Sequence, residues 1–321
     1  MNDSHGFSVK EFILLGFPGS LELKIFLFMF FFFMYILTIS GNIAIISLVK
    51  STQRLHTPMH FFLCNLSFLE IWYTTALVPK TLAILVSRDQ TITFIGCITQ
   101  MYFVFSLGCT EYFLLAVMAY DRYLAICHPL HYNTIMCKTL SLQMAFGSWI
   151  CGFLVISLPA FLITRLSFCD SNVINHFFCD IEPWIVLSCT DTYIIDIVWF
   201  LIACIVILGS CVTTLISYVY IITTILKISS AQGRQRAFST CSSHLTVVLI
   251  WYGSTIFLHV IPFKQNSLEL SKIVTVLNTI VTPLLNPFIY TLRNSEVKEA
   301  LRNIFGSTTL TFFPRKQKDY K

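Results

Sequence analysis

MAYDRYLAICHPL, residues Met118–Leu130, lies where a long apolar run beginning at Ile95 gives out, and it sets Asp121 and Arg122 side by side at that edge. An arginine keeps its proton and is costly in hydrocarbon, so it needs a partner there, and Asp121 is the nearest candidate. The surrounding composition says what the edge is. With 56% hydrophobic and 12% charged residues, and a mean hydropathy of +0.75, the chain is excluded from the water-soluble globular class. It reads as an integral membrane protein.

Crossing ~30 Å of hydrocarbon takes about 20 apolar residues in a helix, which satisfies its own backbone hydrogen bonds where no water can. Seven stretches meet that demand: Ile25 to Val49, Met59 to Val86, Ile95 to Leu124, Leu140 to Ile163, Tyr193 to Leu226, Phe238 to Ile261 and Ile273 to Leu292. Pro58 before the second, Gly233 before the sixth and Pro262 after it act as punctuation. The expected fold is therefore all-α, a seven-transmembrane helix bundle. It divides into an extracellular N-terminus (1–24), the membrane domain (25–292) and a cytoplasmic tail (293–321).

Basic residues orient the bundle. With the tail inside, the cytosol receives Lys50, Arg54, Arg122, Lys138, Lys227, Arg234, Arg236, Arg293, Lys298, Arg302, Arg315, Lys316, Lys318 and Lys321. Only Lys10, Lys24, Arg88, Arg165, Lys264 and Lys272 remain outside. That excess favours an extracellular N-terminus. It also makes the net charge of +5 a matter of topology, not of nucleic-acid binding. The first 24 residues show no basic head, long apolar core and small-residue cleavage site, so no removed signal peptide is expected. Asn2-Asp3-Ser4 is a glycosylation sequon on the outer side; Asn65-Leu66-Ser67 has the same form but falls within a span.

Of twelve cysteines, four fall on the outer side: Cys97, Cys169, Cys179 and Cys189. Four cysteines allow three pairings. Cys97 stands at the outer end of the third helix and the others in the loop from Thr164 to Thr192, so a bond between them would pin that loop across the mouth of the bundle. Cys97 and Arg122 are ~37 Å apart at 1.5 Å per residue, one at each face of the membrane.

Several blocks in order resemble the vertebrate olfactory (odorant) receptors of the rhodopsin-like G-protein-coupled family, tetrapod-type. They are Gly41-Asn42, LHTPMHFFLCNLSFLE from Leu55, MAYDRYLAICHPL from Met118, Ser217-Tyr218, RAFSTCSSHL from Arg236 and PLLNPFIYTLRN from Pro283. The resemblance covers almost the whole chain. It implies pairings Cys97–Cys179 and Cys169–Cys189. It also implies that Asp121 and Arg122 hold a resting state, and that activation frees Arg122 for a G-protein helix while Tyr218 and Tyr290 support the active arrangement.

Two acids lie deep in the spans. Glu70 is ~18 Å above Pro58 and Glu111 ~16 Å above Arg122 by helical rise, and a short outer loop makes their helices antiparallel neighbours. Asn42 and Asn286 fall at broadly similar depth. Such a group holds a shared proton or a captured cation, or else is a static polar knot. Related receptors keep sodium here, although many odorant receptors carry Asp where this chain has the longer Glu70. Sodium at Glu70 and Glu111 is one expectation; otherwise no metal or cofactor is implied.

Stripes at three- and four-residue spacing in the outer half are candidates for a ligand pocket as against helix packing, and their convergence on one pocket is what the resemblance implies. The third helix offers Val104, Phe105, Gly108, Cys109 and Tyr112; the fifth Ile202, Ala203 and Val206; the sixth Tyr252, Thr255, Ile256 and His259; the seventh Val276 and Thr279. The set holds hydroxyls and one imidazole but no carboxylate. Amine receptors of similar fold place Asp where this chain has Val104, so a cationic amine is disfavoured. A volatile with ~250 Å² of apolar surface gains about 6 kcal/mol gross at ~25 cal/mol per Å². Binding entropy offsets much of it, which leaves affinities near micromolar. His259 either donates to a ligand oxygen or faces water at the mouth.

After the seventh span, Ser295 caps an amphipathic helix (295–305) whose Val297, Ala300, Leu301, Ile304 and Phe305 form one face, with Gly306 as its stop. There is no repeated half of the transporter kind, no phosphate loop, no zinc spacing and no nucleophile elbow, so the protein reads as a receptor and not an enzyme. The expected partners are a small volatile ligand, a heterotrimeric stimulatory G protein that raises cyclic AMP, membrane lipids, arrestin and a trafficking accessory protein. The expected site is the plasma membrane. A non-olfactory seven-helix receptor for a lipid or metabolite is the alternative within this fold, and a proton-coupled transporter the alternative outside it.

Overall fold

The computed structural model describes residues 9–87, 89–168, 171–260, 268–293 and 297. Seven helices form the bundle: α1 (Leu21–Ser51), α2 (Pro58–Val86), α3 (Phe94–Cys127), α4 (Lys138–Ile163), α5 (Tyr193–Lys227), α6 (Ala231–Val260) and α7, which runs from Leu268 to Arg293. All but α6 combine membrane length with strong apolarity. The inner part of α6 carries Gln232, Arg234, Gln235, Ser239 and the Ser242-Ser243-His244 triplet. Side chains start the first three helices. Ser20 Oγ accepts from Leu23 N–H, Thr57 Oγ1 from His60 N–H with Pro58 in the first turn, and Thr93 Oγ1 from Gly96 N–H.

Three features depart from the sequence reading. First, α6 begins at Ala231, so Gly233 lies inside its first turn and does not precede it. The Gly233 N–H bonds Ser230 Oγ at 2.9 Å, and a first-turn glycine gives up no intrahelical donor bond. Second, α5 and α7 each contain a π turn, at Cys204–Leu208 and Leu277–Val281. In α7, Pro283 supplies no N–H to the carbonyl of Thr279, and Thr282 Oγ1 donates to Leu277 O at 3.0 Å.

Third, the outer mouth carries a small sheet. Its central strand β1 (Glu11–Leu14) pairs antiparallel with β2 (Thr91–Thr93) and parallel with β3 (Val173–Ile174). Alternation along β1 turns Phe12 and Leu14 inward, both fully buried. Phe12 packs on Phe168 and Trp184 with ring centroids 5.3 and 4.8 Å apart. A disulfide joins Cys97 at the top of α3 to Cys179 in the loop that carries β3, with Cα atoms 5.4 Å apart.

The lid and the bundle are held by different forces. Rings stacked beneath β1 leave water, so the hydrophobic effect drives them together. Between helices in lipid that drive vanishes, and close approach of small residues replaces it. At the α3–α4 crossing, a Cβ on Gly152 would stand 2.1 Å from Thr110 Oγ1 and 2.9 Å from Ser106 O. At the α1–α7 crossing, one on Gly41 would meet Pro287 Cγ at 3.2 Å.

Candidate functional site

At the inner end of α3, Asp121 is fully buried and Arg122 nearly so. Arg122 donates to Asp121 Oδ2 through Nη2 at 2.5 Å and Nε at 3.0 Å. The other carboxylate oxygen accepts from Tyr132 OH at 2.8 Å. Tyr132 sits on a single helical turn, Tyr132–Ile135, in the loop that follows His128-Pro129. Sequence reasoning missed it, although it stands two residues beyond the motif that drew attention to the region.

Tyr218 and Tyr290 are buried near the same end. The Tyr218 hydroxyl lies 2.8 Å from His244 Nδ1 and 3.2 Å from the Cys241 carbonyl, both on α6. His244 Nε2 faces Leu115 O of α3 at 3.1 Å, so that nitrogen carries the proton and one imidazole links α3, α5 and α6. His244 was the second residue missed. Its signal was a histidine in the middle of a span, inside the RAFSTCSSHL block.

Near mid-membrane, Asn42, Glu70, Glu111 and Asn286 come from α1, α2, α3 and α7 and are each no more than 2% exposed. Asn286 Nδ2 donates to Glu70 Oε1, while Asn42 Nδ2 reaches Thr38 O at 3.0 Å and Pro283 O at 3.4 Å. Among the described residues, five oxygens of this group have no hydrogen-bond partner: Asn42 Oδ1, Glu70 Oε2, both of Glu111 and Asn286 Oδ1. A set of hard oxygen acceptors, three of them on carboxyl groups, suits a proton or a hard cation such as sodium.

Most pocket candidates turn into the bundle. Val104, Cys109, Tyr112, Val206, Tyr252, Thr255 and Thr279 are buried, and Phe105, Gly108, Ile202, Ala203 and Val276 half-buried. Ile256 is a correction. It is 50% exposed and continues the outward stripe of Leu249 and Gly253, because the inward face of α6 runs through His244, Val248, Trp251 and Thr255. Thr279 donates to Thr275 O on its own helix at 2.7 Å. A separate concavity of about 410 Å³ lies between α3, α4 and α5, lined by Phe113, Val117, Gly147 and Cys151 among others, and contains none of the pocket candidates.

Over the mouth, Lys272 of α7 is fully buried and donates to Asn175 Oδ1 at 2.9 Å and to Gly16 O at 3.3 Å. His176 follows Asn175, with Nε2 4.0 Å from Asp180 Oδ2. Burial, with Lys272 nearby, holds the His176 imidazole down to about 3. Burial also pushes the Asp180 carboxyl up to about 6, against the backbone N–H of Ile181 that favours its charge. Asn2, Cys169, the side chain of His259 and, apart from Val297, the tail helix 295–305 lie outside the described residues; Cys189 is disulfide-bonded.

The family profile described as olfactory receptor matches residues 31–308. The chain belongs to the olfactory receptor family. The receptor is 70% identical over 291 residues to olfactory receptor 287 of Rattus norvegicus, covering 91% of this chain and 94% of that one. It is 67% identical over 292 residues to olfactory receptor 6F1 of Homo sapiens, covering 91% and 95%. The receptor is thus a multi-pass, non-enzymatic odorant receptor, whose partners by family are a small-molecule ligand and a G protein.

Proposed function

We propose that the receptor lies in the plasma membrane with its N-terminus outside. It takes small, mostly apolar volatiles into the outer half of the bundle and activates a stimulatory, olfactory-type G protein that raises cyclic AMP. One observation carries this reading: α3 holds inward-facing pocket candidates above and the closed Asp121–Arg122 pair below, so one rigid helix spans ligand and G-protein ends. Arg122 is the group released to the G protein. Tyr218 trades His244 for the active arrangement, and Tyr290, whose buried hydroxyl has no hydrogen-bond partner among the described residues, is available to join it. Arrestin and a trafficking accessory protein are further partners on this reading, and the basic tail touches anionic lipid.

The Glu70–Glu111 group acts as a conformation-coupled proton or sodium site. Its five unpartnered oxygens support that role, since a static polar knot would bring a donor to each of these acceptors.

The test is cyclic AMP in cells with confirmed surface receptor, exposed to acids, aldehydes, alcohols, esters, ketones and amines beside an Arg122→Ala control. A ligand response in the wild type that disappears in the control is the expected result. An Arg122→Ala receptor that reaches the surface and signals at full amplitude would remove the switch assignment.

A further inference from the structure

We propose that Tyr112 and Thr255 form a latch between α3 and α6, and that agonists carry a hydrogen-bond acceptor, a carbonyl above all, that takes the Tyr112 proton away from Thr255. The proposal rests on the pocket reading above and gives it a ligand class and a trigger.

Both residues were candidates for touching ligand, yet they touch each other. Tyr112 OH and Thr255 Oγ1 are 2.5 Å apart and both residues are buried. The direction of the bond comes from counting protons. Thr255 Oγ1 donates to the Trp251 carbonyl at 2.9 Å, and a carbonyl only accepts. A threonine hydroxyl has one proton to give, so Tyr112 is the donor and Thr255 the acceptor. The rest of the contact is aromatic: the Tyr112 ring lies 5.5 Å from Trp251 and 5.4 Å from Tyr252 by centroid. Ring faces slide with little directional penalty, whereas the hydroxyl bond fixes the register of α6 on α3.

The latch is open to a ligand from above. Gly108 lies one turn before Tyr112 on the same face of α3, and a Cβ built on it meets nothing within 4 Å. Side chains on a helix lean toward its N-terminus, which for α3 is the outer end, so the phenol leans toward that gap. An odorant resting over Gly108 presents its polar end to Tyr112. A carbonyl oxygen there replaces Thr255 as acceptor, and the buried phenol proton stays satisfied. An alkane offers no acceptor, so opening the latch for it would strand a buried donor.

A second tie between α3 and α6 governs the deeper half of their contact. His244, on the helix that carries Thr255, bonds Leu115 O, three residues along α3 from Tyr112. The upper tie faces the pocket gap; the lower lies deeper toward the cytosol and holds Tyr218. A ligand that opens the first leaves α6 held at the second, next to the proposed switch.

The experiment measures basal and ligand-driven cyclic AMP of full-length receptor at matched surface level, in wild type, Tyr112→Phe, Thr255→Val, the double variant and Thr255→Ser. Losing the latch should raise basal signalling about three- to tenfold in each single variant, the worth of one hydrogen bond. The double variant should rise no further, Thr255→Ser, which keeps the acceptor oxygen, should rise less than Thr255→Val, and Arg122→Ala added to Tyr112→Phe should abolish the rise. In the ligand arm the probes are aliphatic aldehydes and ketones of six to ten carbons and alkanes of matched length. Carbonyl compounds should activate wild type and matched alkanes should be inactive, and Tyr112→Phe, which has no proton to give, should narrow that preference by about tenfold or more. Unchanged basal signalling in both single variants, a carbonyl preference preserved in Tyr112→Phe, or wild-type activation by alkanes equal to that by ketones would overturn the latch. If wild type shows no Arg122-dependent response to any compound while the basal pattern holds, the latch stands and the ligand reading fails.

Discussion

At its inner end α3 buries Asp121 and Arg122 with charges paired and Tyr132 on the remaining carboxylate oxygen, whereas ~16 Å farther out it buries Glu111 with neither oxygen bonded. Each site lies in the same helix and excludes water equally well. The difference is in what completes them. A closed pair needs nothing further to hold one conformation; an acid with idle oxygens needs a proton or a cation, and so makes conformation depend on one.

Breaking the closed pair should have the largest effect. Asp121→Asn strands a buried guanidinium, at a cost of about 3–5 kcal/mol to the state that relied on the pair. Basal cyclic AMP per surface receptor is expected to rise at least tenfold, and an unchanged basal level would show that the pair is not the resting lock. The open site should respond less strongly. Replacing sodium with choline outside cells is expected to shift agonist potency about fivefold in wild type and not at all in Glu111→Gln, within the usual range of coupling between sites. Equal shifts in both receptors would move the cation elsewhere, and no shift in either, with pH equally without effect, would leave only a static knot.

The smallest expected effect lies in the lid, where His176 and Asp180 oppose each other. A freed His176 takes a proton near 6.5, but the closed lid keeps it neutral down to about 3, so the lid loses stability as pH falls through that window. Asp180 titrates near 6 in the closed lid and near 3.8 when freed, so it adds stability as pH falls between those values. The two nearly cancel, with the wider His176 window slightly ahead. Amide exchange at Phe12 and Leu14, corrected for intrinsic rate, should therefore quicken slightly from pH 7 to 5 in wild type. It should quicken more in Asp180→Asn, which keeps the helix cap, and slow in His176→Asn. Identical pH profiles in the three receptors would mean that neither group titrates with lid opening.

Much of this architecture is legible in the chain because lipid allows few alternatives. Seven apolar runs must be helices, and their ends lie within a few residues of Ile25, Met59, Ile95 and Leu140 for the first four. The apolar run of the sixth starts only at Phe238 because the helix's first turns are polar, a pattern that marks exposure to water and not the end of a helix. Glu70, Glu111, Asn42 and Asn286 stand out as expensive groups in a span; all four are buried, and Glu70 meets Asn286 because helices packed side by side bring equal depths together. Tyr132 and His244 are not legible as partners. Their roles depend on a loop folding back and on helix rotation, neither of which leaves a periodic trace.

By itself the sequence determined the number of crossings, the depth of each polar group and the family, since these arise from hydropathy, helical rise and linear motifs. Tertiary structure decided which hydrogen bonds those groups make. Side chains at one depth choose partners by helix rotation and crossing distance, which set Tyr112 on Thr255, turned Ile256 outward and left Glu111 without a bond. It also decided that residues 11–14 form the central strand of a lid, because pairing needs two loops, brought from far along the chain, to supply its edges.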